Sequence, residues 1–406
     1  MKIRSMSFTF HSAAQRRAVT NWLGLALLSM SYLGLPLSAD AESIVAPPAT
    51  GALQTYVNQA DPAFEWEIVR RRQNGSGVEL IVEFTSQTWR SDGEVDRTKW
   101  RHGLKLLVPN DADPQTALLS IGGGVNDGQA PGGSSGEARQ VALATSSVVA
   151  ELTAVPNQPL EIGGDGQPRY EDNLLARSWR KYLETRDPTW IAQLPMTKAA
   201  VRAMDVVQEV LATETDLPVA KKLAISRFVV TGASKRGWTT WLTAAVDPRV
   251  CAIAPMVIDL LNIRESSRHH RAVYGFWAPA LEDYERQGLA DRLNDPALDT
   301  LLQIIDPYHY RDRLTMPKLV INATGDEFFL PDSSRYYFDD LQGEKHLCYV
   351  PNASHGLNRL AVDTLIAFHH CVVNDRERPT VEWTVSGEGK ACITCSEKPV
   401  LARHLF

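Results

Sequence analysis

The sequence predicts an α/β fold: a mostly parallel central sheet flanked by helices, with an antiparallel β region before it and a helical insertion late in the order. Three observations predict it. Short apolar strands alternate with helix-length segments through the middle of the chain, the rhythm of βαβ units. A strand runs directly into a helix across Gly232-Ala233-Ser234-Lys235-Arg236-Gly237. Two later apolar strands each end in a residue of catalytic type, Asp326 and His355.

The chain has 406 residues, 44% hydrophobic and 22% charged, which is ample for a large core. Its first forty residues are different in kind. Lys2, Arg4, Arg16 and Arg17 precede an apolar run from Trp22 to Leu37, and Ala39-Asp40-Ala41 follows as a cleavage site. Residues 1–41 are therefore predicted to be a secretory signal peptide, which places the mature protein outside the cytoplasm, secreted or periplasmic. The run is short for a membrane span and is broken at Gly34-Leu35-Pro36. No other segment approaches spanning length, so no membrane span is predicted in the mature protein. The four basic residues and one acidic residue of this segment move the formal charge from −6 to about −9 on cleavage. Such a balance argues against a nucleic-acid partner.

Five cysteines are too few for a disulfide scaffold. Cys392-Ile393-Thr394-Cys395 lacks the second ligand pair that zinc needs, and reads as a local disulfide or two ordinary thiols. Neither a metal nor an organic cofactor is predicted.

From Pro47 to about Thr116 the chain reads as antiparallel strands at Phe64–Val69, Val78–Gln87 and Trp100–Val108, with a strong turn at Gln73-Asn74-Gly75-Ser76-Gly77. Ala117–Ile121 is a short strand ending in Gly122-Gly123-Gly124. A helix over Ser135–Ala144, capped by Ser134 or Ser135, and a strand over Val148–Val155 complete a βαβ unit. The glycines stand at the carboxyl end of their strand, where open α/β sheets bind ligands, and their N–H groups suit an oxyanion hole. A plain flexible turn is the alternative. Thr197 is predicted to cap a helix through Leu211, with Val201, Met204, Val207 and Leu211 on its core face.

Ser234 then follows the strand Ile225–Thr231 and precedes a helix over Trp238–Ala245. The turn lifts the hydroxyl off the sheet and leaves the Lys235 N–H at the helix start, aimed where an oxyanion would form. The pattern departs from G-x-S-x-G, since Arg236 holds the second position after the serine and Gly237 the third. Lys235 and Arg236 thereby put two cations beside the nucleophile, candidates for binding an anionic substrate; for Arg236 the equal alternative is a place under the elbow helix, paired with a structural carboxylate. After the strand Cys251–Ile258, residues 262–313 interrupt the rhythm with helical, aromatic-rich sequence, suiting a cap over the site or helices on the outer face. His269, His270 and His309 fall in it and read as surface or structural.

Lys318–Ala323 ends in Thr324-Gly325-Asp326-Glu327, and His346–Val350 ends in Pro351-Asn352-Ala353-Ser354-His355. Ser234, Asp326 and His355 thus occur in the order nucleophile, acid, base. A hydroxyl is a poor nucleophile at neutral pH until an imidazole takes its proton, and the imidazole needs a carboxylate to fix its tautomer. Glu327 and Asp259 are reserve acids.

Val155-Pro156-Asn157-Gln158-Pro159, Tyr170-Glu171-Asp172, Leu194-Pro195-Met196, Gly232–Trp238, Asp306-Pro307-Tyr308 and Gly325-Asp326-Glu327-Phe328-Phe329 resemble the PhoPQ-activated pathogenicity-related proteins over about residues 50–385. The resemblance implies an α/β-hydrolase fold, export, and a Ser-Asp-His triad at Ser234, Asp326 and His355, without a defined substrate. Family members run on into a C-terminal β-rich segment, which Thr380–Val385 would begin. The elbow is also similar to that of glucuronoyl esterases, whose serine is followed directly by arginine, and more loosely to prolyl-oligopeptidase-like peptidases. The expected organisation is a signal peptide (1–41), an α/β-hydrolase domain (50–375) and a short β-rich tail (376–406). The expected function is an exported serine hydrolase acting on a small-molecule or polymer-linked ester, or on a peptide. The alternative from another class is a catalytically silent envelope protein that uses the fold to bind.

Overall fold

The computed structural model describes residues 5–9 and 51–399, apart from 218, 220, 221 and 387–389. The chain divides into two compact units, Pro47–Arg376 and a second comprising Met1–Ala46 with Glu377–Phe406. In the second unit, strands β1 (Ser5–Thr9), β11 (Val381–Val385) and β12 (Lys390–Cys395) form an antiparallel sheet in the order β1-β12-β11. Apart from Ser5–Thr9, the predicted signal peptide lies outside the described residues. All five cysteines, Cys392 and Cys395 included, are free thiols.

The larger unit opens with helix α1 (Gly51–Asn58) and three antiparallel strands, β2 (Glu65–Asn74), β3 (Gly77–Thr88) and β4 (Lys99–Pro109). Strand β5 (Thr116–Ile121), helix α2 (Gly136–Thr145) and strand β6 (Val148–Leu152) form the predicted βαβ unit, and Ser135 caps α2 by accepting from the Ala138 N–H. Helices α3 (Glu171–Thr185) and α4 (Gln193–Thr213) lead to β7 (Arg227–Ala233), α5 (Lys235–Val246) and β8 (Val250–Met256). The insertion holds α6 (Ile263–Tyr274), α7 (Glu282–Arg286) and α8 (Pro296–Ile305), and β9 (Lys318–Ala323), β10 (Lys345–Val350) and α9 (Arg359–Val373) close the unit.

The sheet order is β10-β9-β8-β7-β5-β6-β4-β3-β2. From β10 to β6 all neighbours are parallel, and β4, β3 and β2 continue antiparallel. Strand period sorts side chains onto two cores. Phe228 and Val230 of β7 join the cluster containing Trp238 and Trp241 of α5, whereas Val229 joins Val141 of α2 and Phe368 of α9 on the other face.

Helix α4 corrects one expectation. It begins at Gln193 with Ala192 at its N-cap, not at Thr197, and the Thr197 hydroxyl instead donates to Gln193 O at 2.8 Å from inside the helix. Pro195 does not break it, because the first turn has no intrahelical use for the missing N–H.

Two buried histidines sit in this frame. The His102 Nε2 accepts from the Ser86 hydroxyl at 2.9 Å, and His369 Nε2 lies within hydrogen-bond distance of the Ser147 hydroxyl at 2.7 Å. Burial drives these imidazoles down to about 4 and about 3. Below the ordinary value the unfolded chain takes up protons that the folded chain refuses, so stability falls on acidification from about pH 6.5 toward pH 4. His369→Gln, which keeps a partner for Ser147, should flatten the fall of Tm across that window. A curve parallel to the parent's would show that His369 is not a source of acid sensitivity.

Candidate active site

Strand β7 delivers Ser234 at φ 58° and ψ −128°, a left-handed conformation costing of order 1–3 kcal/mol for a residue with a side chain. The surroundings hold it there. Its N–H donates to Met256 O at 2.8 Å, and its C=O accepts from the Trp238 N–H at 2.9 Å. The glycine spacing has a steric cause: a Cβ on Gly232 would stand 2.7 Å from Arg236 O, and one on Gly237 would stand 2.8 Å from Met256 O. The second position after the serine is therefore free to carry a side chain, and the third is not.

The two late strands are stitched together past their ends. Thr324 N–H donates to Val350 O at 3.1 Å, and Gly325 N–H to Ala353 O at 2.9 Å. This brings the Asp326 carboxylate to His355, whose Nδ1 lies 3.0 and 2.9 Å from its two oxygens. The Asp326 side chain is only 3% exposed. Since an ionised carboxylate only accepts, Nδ1 carries the proton and Nε2 is left as the basic nitrogen. The reserve acids have other work. Glu327 accepts the His355 backbone N–H at 3.0 Å, while the Asp259 oxygens receive the Tyr337 hydroxyl at 2.6 Å and the Tyr349 hydroxyl. Burial pushes the Asp259 carboxyl up to about 6 despite these donors.

The glycine loop corrects one of its assignments. Gly122 N–H already donates to Leu152 O at 2.7 Å, so it is not free to meet an oxyanion. Among the described residues no acceptor meets the N–H of Gly123 or Gly124, and these remain, with the Lys235 N–H at the start of α5.

The two predicted substrate cations are already paired. Arg236 makes a bidentate pair with Glu171 at 2.7 and 2.6 Å, and its Nε donates to Val155 O at 2.5 Å. Its guanidinium lies against the glycine loop, 2.5 Å from where a Cβ on Gly123 would stand. Lys235 Nζ meets Glu171 at 2.9 Å and Asp172 at 3.0 Å. Burial works against the Glu171 charge, but the Arg236 hydrogen bonds and the two cations outweigh it and hold this carboxyl down to about 2.

A cavity of about 110 Å³ opens beside Ser234. It is lined mainly by apolar side chains, among them Trp179, Trp238, Trp277, Leu302 and Phe328. Residues 262–313 supply much of this wall. Asp306 ties their two ends together by accepting the N–H of Ile263 at 2.7 Å and of Tyr308 at 3.0 Å, and burial pushes its carboxyl up to about 7. The insertion's histidines bind elsewhere: His269 pairs with Asp332 at 2.9 Å, and His270 accepts the Ala278 N–H at 3.1 Å. Phe328 links the cavity wall to His355, its ring 4.4 Å from the imidazole.

Residues 53–403 match the family described as PhoPQ-activated pathogenicity-related protein. The chain belongs to this family. It is 39% identical over 353 residues to "Autocrine proliferation repressor protein A" of Dictyostelium discoideum, covering 85% of this chain and 69% of that protein. Its fold is shared with acetyl xylan esterase 1 from Thermoanaerobacterium sp. JW/SL YS485, at TM-score 0.52 and 16% identity over 79% of this chain and 92% of that one. An acetyl xylan esterase from Paenibacillus sp. R4 is similar at TM-score 0.51 and 14% identity, with the same 79% and 92% coverage. The fold is that of the α/β hydrolases, as predicted.

Three of the family-like motifs turn out to be one cluster. Gln158 Nε2 donates to Glu171 at 2.6 Å, Glu171 N–H donates back to the Gln158 side chain at 2.7 Å, and Glu171 holds both Lys235 and Arg236. Asp172 adds a link to residues 262–313 by accepting the Tyr284 hydroxyl of α7 at 2.9 Å. The roles of Gln158, Glu171, Asp172 and Tyr284 were not readable from the sequence, because their partners lie far away along the chain. The motif Tyr170-Glu171-Asp172 marked the place without naming the partner.

Proposed function

We propose that the protein is a serine hydrolase that cleaves a carboxylic ester, or an amide, through an acyl-enzyme. The observation that carries this reading is the backbone of Ser234, held in a strained turn at the edge of a cavity. The chemistry follows from the residues around it. His355 Nε2 takes the hydroxyl proton as Ser234 Oγ bonds to the carbonyl carbon, and Asp326 stabilises the resulting imidazolium. The oxyanion is received by the N–H of Lys235 and of Gly123 or Gly124. Collapse breaks the ester C–O bond, and His355 returns the proton to the leaving alcohol. Water, deprotonated by the same imidazole, then releases the acid. Arg236 and Glu171 act on this centre by positioning the glycine loop, not by binding substrate.

Rapid mixing of the purified protein with p-nitrophenyl acetate tests the reading. A burst of nitrophenol equal to the enzyme present, followed by slower turnover, is the expected result; no burst and no turnover on any ester or peptide substrate would contradict it. In that case the second reading stands, a binding protein on a hydrolase fold, which the regulatory name of the Dictyostelium relative favours. The N-terminal segment adds a proposal about location. Exported material should begin near Glu42, and N-terminal sequencing that found Met1 on it would count against cleavage.

A further inference from the structure

The cavity beside Ser234 carries information about which ester is cleaved, provided the serine-hydrolase reading above holds. Its volume of about 110 Å³ approaches that of the ~150 Å³ apolar cavities that stay dry and take up benzene. Trp179, Trp238, Trp277, Leu298, Leu302 and Phe328 give it a wall with little to offer a polar group. Among the described residues its charged lining groups are Lys235 and Asp172, and these pair with each other at 3.0 Å. Lys235 is further paired with Glu171, and Asp172 accepts the Tyr284 hydroxyl, so neither charge is waiting for a partner. A substrate carboxylate entering here would lose its hydration and find its cation already taken.

We infer that this cavity receives the acyl group, and that it selects neutral apolar acyl chains over both acetyl and carboxylate-bearing acyl groups. The acyl group is the part of the ester that remains bound to Ser234 through both steps, so its burial favours both transition states, whereas the alcohol departs after the first. Each methylene placed against this wall should raise kcat/KM about fourfold until the cavity is full.

The test is a series of p-nitrophenyl esters on the intact protein: acetate, butyrate, hexanoate, benzoate and the monoester of succinic acid. Hexanoate should exceed acetate at least tenfold in kcat/KM, and butyrate should exceed the succinate monoester, of equal carbon number, at least tenfold. Leu302→Trp, which fills the cavity from α8, should lower the ratio of hexanoate to acetate at least tenfold. Trp277→Ala, which enlarges it, should move the optimum to longer chains, so the test survives if one variant fails to fold. Acetate turnover that falls with acyl length, a succinate monoester as good as butyrate, or a gain that follows the alcohol chain in alkyl acetates instead would each overturn this inference alone. No turnover of any ester would overturn the serine-hydrolase reading and this inference with it.

Discussion

Replacing Ser234 by alanine is expected to lower kcat on a p-nitrophenyl ester by about 10⁵-fold, and His355→Ala by a similar factor, with the double variant little worse than either. The residues act as one unit: without the imidazole the hydroxyl is not deprotonated, and without the hydroxyl there is nothing to deprotonate. Stability should not fall in step. Ser234 occupies a backbone conformation that strains any side chain, and removing its hydroxyl cuts no hydrogen bond on which the elbow depends, since the turn is held through its N–H and C=O. An unchanged or slightly raised Tm alongside the collapse of kcat is the signature of a nucleophile. Full turnover in Ser234→Ala would remove that assignment.

The second large effect is expected at the pair Arg236–Glu171. The guanidinium fills the space beneath Gly123 and is tied to Val155 O, so it fixes where the loop's N–H groups point. Arg236→Met keeps much of the bulk and loses the fork. Mispositioning an oxyanion donor by about an ångström costs on the order of 10²-fold, and the loss should appear in kcat with KM little changed. The loss should also be equal on neutral and acidic esters, because Arg236 is paired with Glu171 and not with substrate. A loss confined to acidic esters would return Arg236 to the substrate-binding role that the sequence first suggested. To separate position from stability, Arg236→Met can be combined with Glu171→Leu, which removes the carboxylate that has lost its bidentate partner and leaves Lys235 paired with Asp172. That double variant should recover Tm but not kcat.

The sheet was legible because its signals are local. Strand period, the Asn74-Gly75 turn, the Ser135 cap and the strand-to-helix run around Ser234 are each written within a dozen residues. The order Ser234, Asp326, His355 was legible for the same reason, each standing just past an apolar strand. What the sequence did not disclose depends on pairings across the fold. Lys235 looked like a free cation, and the carboxylate that Arg236 could pair with could not be named, because Glu171 and Asp172 lie on α3, in an earlier part of the chain. Gly122 looked equivalent to Gly123 and Gly124, and only the position of Leu152 O on the neighbouring strand tells them apart. Glu327 and Asp326 are adjacent acids, yet one holds the His355 ring and the other its backbone N–H. Helix α4 starts four residues before the predicted Thr197 cap, with Pro195 in its first turn, where a proline is tolerated.

The most direct measurement of the central claim is covalent labelling with a fluorophosphonate, followed by mass-spectrometric mapping of the modified peptide. The account predicts one adduct per chain, on Ser234, formed at a rate that falls steeply in His355→Ala and absent in Ser234→Ala. An adduct on another serine, or ester hydrolysis that continues after the label fails to attach, would contradict it.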